Sequence, residues 1–448
     1  MADLAVRGGR VVLADRVAQV DILVLEGSIL RIVTPGEGTA DEEIDARGLV
    51  VLPGVVDAHV HVNEPGRTEW EGWVAATSGA AAGGVTTLAD MPLNSIPPTI
   101  DEAAFDLKDA SAAEGALVDY ALWGGLVRAD PAALRALADC GVVGVKCFLC
   151  PSGVDEFPHL GDDDLVAALR GAADAGLLVA AHCEDEATLA RARAGVSGRD
   201  LSAWLRSRPA EAERIAIERL AAAAKRTGAR VHVVHASSPE ALAAVRSARR
   251  AGIDITAETC PHYLAFGVSD FALGPLLKCA PPIRDGARVA LWDEVLAGRL
   301  EYVASDHSPC GAELKRRGDG DVFEAWGGIS GIQSTLPLML SEGVRERGMA
   351  LEMLAQLLAT RPAKRLGLWP RKGEIRPGTD ADLVLVDPDR EWTLTRDALH
   401  TRSGLSPYVG RRFTGAVVRT IVRGRTVYLD GEITATPGDG WFVRRMLA

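Results

Sequence analysis

Eight short apolar runs recur through the middle of the chain, separated by longer stretches that are mostly alanine-rich and of helical period, and this alternation constrains the fold more than any other feature. The runs fall at residues 55–60, 86–90, 120–127, 142–148, 177–182, 231–235, 253–258 and 302–306. A strand apolar on both faces belongs inside a parallel sheet, and parallel neighbours need a crossover long enough to hold a helix. Residues 70–82, 131–140, 163–175, 211–226 and 239–251 supply such crossovers. Gly141, Gly176, Gly228 and Gly252 follow their last turns, where a left-handed residue can close a helix. Eight strand-helix units predict an α/β chain closed into a (β/α)8 TIM-like barrel rather than an open sheet.

The texture changes at both ends. Residues 1–52 and 374–448 carry short alternating strands and turns without comparable helices. Val20-Asp21-Ile22-Leu23-Val24 and Val417-Val418-Arg419-Thr420-Ile421-Val422 read as strands, with Glu26-Gly27 and Arg423-Gly424 as turn signals. Each end is too small to bury a core alone. The expectation is one small β-sandwich domain built from both termini beside a barrel over residues 53–373. Residues 381–387 would be a strand of that unit, with its acidic side chains facing solvent or forming turns.

A chain of 448 residues accommodates a large barrel and an accessory unit. Its 49 basic against 61 acidic residues leave a net charge of -12, which argues against a nucleic-acid or anionic-membrane partner. Short basic runs such as Lys315-Arg316-Arg317 read as solvated surface. No apolar stretch reaches the roughly 18 residues of a membrane span, and Met1-Ala2-Asp3-Leu4 lacks the features of a signal peptide, so a cytoplasmic location is expected. The seven cysteines then read as reduced. Cys147 and Cys150 have CxxC spacing, but no second pair completes a zinc ribbon, and both read as structural.

In a strand-helix barrel the chemistry sits at the C-terminal ends of the strands. The first run closes on Asp57-Ala58-His59-Val60-His61. Residues two apart on a strand share a face, so His59 and His61 point together, and two neutral imidazoles make half of a divalent-metal site. Alone, the pair could equally be two histidines alternating on a half-buried strand. His182 ends the fifth run, His235 the sixth and Asp306 the eighth. Four histidines and one carboxylate thus converge, enough for two ions if an anion bridges them. Lys146 ends the fourth run, where a buried ammonium is costly and repels cations. Burial lowers a lysine pKa, and the neutral amine can take up carbon dioxide as a carbamate whose two oxygens can bridge two metals. Taken alone, Lys146 reads better as a salt-bridged structural lysine.

With these motifs in place the chain resembles the cyclic amidohydrolases, the group of hydantoinases, dihydropyrimidinases, dihydroorotases and allantoinases. The resemblance rests on Val56-Asp57-Ala58-His59-Val60-His61 and Ser305-Asp306-His307-Ser308-Pro309-Cys310, and the flanking pattern extends it over nearly the full length. It implies that His59 and His61 bind the more buried of two divalent metal ions, with Asp306 joining them, and that His182 and His235 bind the second. It further implies that Lys146, carboxylated to N6-carboxylysine, bridges both. The ligand position immediately before Ala236-Ser237-Ser238 favours His235 over His232. Zinc is the expected metal, although cobalt, manganese, nickel and iron share these donors. A homotetramer is implied by the same resemblance.

Loops set the substrate in such folds. Dihydroorotases usually place an arginine two residues after the second histidine, where this chain has Asn63. Hydantoinases commonly carry a tyrosine shortly after the bridging lysine, where Cys150-Pro151-Ser152 stands here. The segments His61-Val62-Asn63-Glu64-Pro65-Gly66-Arg67 and Asp90-Met91-Pro92-Leu93-Asn94-Ser95 resemble the allantoinase form. The implied activity is hydrolysis of the ring amide of allantoin to allantoate, a step of purine and ureide catabolism. Allantoin is uncharged, so amide, hydroxyl and backbone groups suit it better than an arginine clamp. Asn63, Asn94, Ser152 and His262 are the candidate substrate-binding residues, with loop capping and turn formation the alternative for Asn94 and Ser152. The backbone of Ala280-Pro281-Pro282-Ile283-Arg284 and of Gly327-Gly328-Ile329 could add further walls. His159, His307 and His400 read as structural or exposed. The implied mechanism has a metal-bridging hydroxide attack the ring carbonyl, with Asp306 as general base and then general acid. The alternatives are a hydantoinase or dihydropyrimidinase, and a non-catalytic assembly protein that kept the barrel; the complete donor set argues against the latter.

Overall fold

Gly54 divides the apolar run that begins at Val50 between two sheets. In the computed structural model, which describes residues 1–446, Val50–Pro53 pairs antiparallel with Leu383–Thr393 from the far end of the chain. One residue later Val55–Val60 begins a parallel series. A Cβ at position 54 would collide with the Thr86 side chain, so the crossing between sheets requires glycine.

The parallel series runs in chain order. Val55–Val60 is followed by Val85–Asp90, Asp119–Leu122 with its continuation Gly124–Gly125, Val145–Phe148, Val179–His182, Val231–Val233, Ile255–Thr259 and Tyr302–Val303. Successive strands pair in parallel register, the third with the fourth through Gly124–Gly125. Between Leu122 and Gly124 the ladder is interrupted at Trp123, whose backbone N–H donates to Asp90 O at 3.0 Å and whose indole donates to Ala58 O at 3.0 Å. Beyond the eighth strand an isolated parallel bridge joins His307 to Val60, and the His61 N–H donates to His307 O at 2.7 Å.

Two of the strands that carry site residues stop short of their expected C-terminal ends. The sixth stops at Val233 and the eighth at Val303, because the backbone turns into the left-handed region at His235 (φ 40°) and Asp306 (φ 43°). Such angles are uncommon for residues with a Cβ and gather at functional sites. Both side chains are thereby swung off the strand line.

The expected helices form with small shifts at their ends: Trp73–Ala82, Pro131–Cys140, Asp162–Asp174, Ala210–Thr227 and Pro239–Arg250. Two begin with proline in the first turn behind a capping side chain. Asp130 accepts from Ala133 N and Ser238 from Ala241 N. Gly141 and Gly228 close their helices in the left-handed region, at φ 90° and 73°. Gly176 and Gly252 stand one residue beyond the cap.

Both termini build two further sheets. The four-stranded one is ordered Ser28–Val33, Asp21–Leu25, Ala2–Arg7, Ala40–Asp45. The seven-stranded one is ordered Glu432–Ile433, Arg425–Leu429, Arg412–Val422, Leu383–Thr393, Val50–Pro53, Arg10–Val12, Val17–Gln19. Leu4, Val6, Ile22 and Val24 from the first share a buried cluster with Val51, Leu383, Leu385 and Ile421 from the second. Among the described residues no helix is long and apolar enough to cross a membrane.

Of the acidic residues of 381–387, expected to face solvent or form turns, Asp382 is instead buried in an ion pair. The fully buried Lys372 ammonium lies 2.7 Å from its carboxylate, 2.6 Å from Asp119 and 2.9 Å from Asp380. Asp119 opens the third parallel strand and Asp382 precedes Leu383–Thr393, so one cation joins the parallel series to the terminal sheet. Replacing Lys372 by Met would leave the buried Asp382 carboxylate without its ion-pair partner, while Asp119 keeps Arg423 and Asp380 keeps Arg371, at a cost of about 3–5 kcal/mol. A marked fall in the urea midpoint of Lys372→Met relative to the parent is the expected result.

Candidate active site

A cavity of about 290 Å³ opens at the C-terminal ends of the parallel strands, and His59, His61, Lys146, His182, His235 and Asp306 all line it. His59 Nε2 lies 3.3 Å and His61 Nε2 3.5 Å from the same Asp306 oxygen. His182 Nδ1 and His235 Nε2 are 3.1 Å apart. Two nitrogens bound about 2.0–2.1 Å from one tetrahedral ion stand about 3.3 Å from each other. The spacings of both groups therefore fit divalent-ion ligands, and the His59, His61 and Asp306 donor atoms lie mutually within 4.8 Å.

The outer nitrogen of each of three rings is held so that its inner nitrogen keeps a lone pair. Glu258 Oε1 sits 2.5 Å from His59 Nδ1, Leu93 O sits 2.7 Å from His61 Nδ1, and Glu184 Oε2 sits 2.8 Å from His182 Nε2. These partners take the ring proton and turn the other nitrogen to the cavity. Burial lowers the pKa of His61, His182 and His235, which favours the neutral form that binds metal. Burial opposes ionisation of Asp306, yet His59 and His61 hold its carboxyl well below the usual carboxylate range.

Lys146 is buried, and among the described residues no hydrogen bond or ion pair reaches its ammonium; Nζ lies 4.8 Å over the Phe148 ring. The salt-bridged reading of this lysine is thus not met. Burial lowers its pKa, opposed by Asp306 and Glu258. His232 turns away from the cavity, bonded to Thr256 Oγ1 at 2.7 Å and Glu258 Oε2 at 3.1 Å.

The four candidate substrate residues divide. Asn94 and Ser152 line the cavity. The Ser152 hydroxyl donates to Phe157 O at 2.6 Å and accepts from Val154 N, so it also closes a turn. Asn63 is buried outside the cavity at φ 67°; its amide donates to Pro309 O and its oxygen accepts from Asn94 Nδ2 at 3.0 Å. It braces Asn94 rather than facing the cavity itself. His262 is buried behind Asp306, both ring nitrogens without a partner among the described residues, and burial brings its pKa down to about 4.

Several participants escape a reading of the sequence. Glu258 bonds His59, His232 and the His235 N–H, and its only sequence signal is a carboxylate at the end of an apolar run. Arg208 lines the cavity, paired with Glu184 through Nε at 3.0 Å, so a guanidinium does border the site. Lys278 also lines it; its ammonium donates to Phe323 O at 2.9 Å and Ala325 O at 2.5 Å. Burial first, then Lys315 and Arg208, bring Lys278 to about 8. Lys315, expected as solvated surface, is instead buried and donates to Pro275 O, Trp326 O and Gly328 O. These two ammonium groups hold the wall Ala325 to Gly328 by its backbone carbonyls, a need no local pattern announces.

A strand-end set of imidazoles and a carboxylate around one cavity is suited to metal-assisted hydrolysis, and the chain belongs to the amidohydrolase family, whose model matches residues 50–427. Among its relatives, the allantoinase of Rubrobacter xylanophilus is 48% identical, over 99% of this chain and 97% of that one. The allantoinase of Deinococcus radiodurans is 44% identical over 97% of each. Among solved structures, the L-hydantoinase (dihydropyrimidinase) of Arthrobacter aurescens superposes with a TM-score of 0.96 at 34% identity, covering 99% of this chain and 100% of that one.

Glu258→Gln should weaken metal binding by roughly 10- to 100-fold, since the amide no longer fixes the His59 tautomer. Chelator competition followed by metal analysis reads this directly, and parent-like affinity would remove Glu258 from the centre.

Proposed function

We propose that the chain hydrolyses the ring amide of allantoin to allantoate. The observation that carries the reading is the convergence of four imidazoles, Lys146 and Asp306 on one cavity in a chain 48% identical to an allantoinase. In this reading His59, His61 and Asp306 would hold one divalent ion and His182 and His235 a second, with Lys146 as a carbamate contributing to both and zinc the expected metal. When bound, the ions supply Lewis acidity and lower the pKa of a coordinated water. Asp306, kept ionised, takes the proton of the attacking water and passes it to the departing ring nitrogen. Asn94 and Ser152 offer amide and hydroxyl groups to an uncharged ring, while Asn63 supports Asn94 from behind and His262 lies beside Asp306.

The likeness to the Arthrobacter L-hydantoinase favours a second reading, hydrolysis of hydantoins or dihydropyrimidines, which the same donors could perform. For the architecture, we propose that the eight parallel strands close as a barrel over residues 53–373, supported by the Val60 to His307 bridge. Residues 1–52 and 374–448 then make the β-sandwich domain, supported by their shared buried cluster. A cytoplasmic homotetramer is the proposed working state.

A turnover panel of allantoin, hydantoin, dihydrouracil and dihydroorotate with metal-loaded protein separates the two readings; a preference for hydantoin over allantoin would overturn the first. Asp306→Asn should lower kcat by about 10²–10⁴-fold with the fold retained. Lys146→Ala should lose metal and recover part of its activity with added short carboxylic acids, whereas full metal occupancy without rescue speaks against the carbamate.

A further inference from the structure

His307 follows Asp306 directly, yet its side chain does not line the cavity. It is buried, and its bonds are unusually complete for a histidine with no assigned task. Nδ1 accepts from Gly331 N at 3.2 Å, so the ring proton resides on Nε2, which donates to Glu71 Oε1 at 3.2 Å. The other Glu71 oxygen accepts from Thr401 Oγ1 at 2.8 Å and Arg402 N at 3.1 Å, while Arg402 Nε donates to Glu71 O at 2.6 Å. The His307 backbone bridges to both Val60 and Ile329, accepts from His61 N, and donates to Ser305 Oγ at 3.0 Å.

These contacts surround the one residue of the loop in a conformation that side chains disfavour, Asp306 at φ 43°. A strained residue keeps its geometry only where its surroundings over-determine it. We propose that His307 and Glu71 are a positioning pair that holds Asp306 toward His59 and His61, and that Thr401 and Arg402 of the C-terminal segment complete it. The C-terminal segment thereby sets the aim of the proton-carrying carboxylate. The inference rests on Asp306 being that carrier.

The pair predicts which substitutions matter. Glu71→Gln keeps the shape and still accepts from Thr401 and Arg402 through its oxygen, but it faces a ring N–H with an amide N–H. His307→Asn keeps an acceptor for Gly331 and loses the donor to Glu71. Thr401→Val removes one support of Glu71 and Thr401→Ser restores it.

In the full-length, metal-loaded protein, Glu71→Gln and His307→Asn should each lower kcat for allantoin by about 10- to 100-fold, with KM within roughly threefold and metal content and melting temperature near the parent values. Thr401→Val should lower kcat several-fold and Thr401→Ser recover it. The double variant Glu71→Gln/His307→Asn should be no worse than the poorer single one, as expected for residues acting as a unit. In cobalt-substituted protein the same variants should shift the visible ligand-field spectrum, because Asp306 moves relative to His59 and His61. Parent-like kcat and spectrum in both single variants would overturn the proposal, as would a loss confined to KM or explained by lost metal. Asp306→Asn in parallel separates the two levels. If it stays active the proton-carrier reading falls; if it is inactive while His307→Asn and Glu71→Gln are normal, only the positioning pair falls. Should the parent turn over none of the four rings, the cobalt spectrum still decides, an unshifted spectrum counting against the pair.

Discussion

One buried carboxylate holds the candidate centre together. Glu258, near the end of the seventh parallel strand, bonds the His59 ring from the first strand, the His232 ring of the sixth, and the backbone N–H of His235 just past the sixth. A carboxylate with no exposure is costly unless its oxygens are fully engaged. Here that demand is met by groups from separate strands, and meeting it fixes the tautomer of His59 and braces the backbone at the left-handed His235.

Buried ammonium groups complement this carboxylate in different ways. Lys372 sits among three carboxylates and acts as a structural clasp. Lys278 and Lys315 have only carbonyl acceptors and serve to order an irregular wall whose backbone oxygens need donors. Among the described residues Lys146 meets neither kind of acceptor, although it lines the same cavity as the imidazoles. The difference lies entirely in the acceptors each ammonium meets.

Much of this was legible along the chain. Period-two spacing placed His59 and His61 on one face, and apolar runs ended near Lys146, His182, His235 and Asp306, all of which the cavity gathers. Glycines after helices mark the ends of the helical units because caps are local chemistry. Strand ends were overrun at Val233 and Val303 because apolar pattern does not report a left-handed turn. Asn63, a candidate substrate contact by its spacing from His61, turns instead to Asn94 and Pro309, since the facing of a loop side chain depends on what packs around it. Lys315, expected on the surface, and Asp382, expected to face solvent or form a turn, are buried for the same reason: charge favours exposure on average but does not show which charged groups find buried partners.

The sequence by itself determined the alternation of elements, the donor residues at the strand ends and the family to which the chain belongs, because each is written in local spacing. Tertiary structure decided which outer groups orient those donors, which lysines are buried and what they meet, and how residues near 71, 307 and 401 come to touch. Those outcomes depend on contacts between segments far apart in the chain, where desolvation makes each buried polar group bind whatever the fold brings within reach.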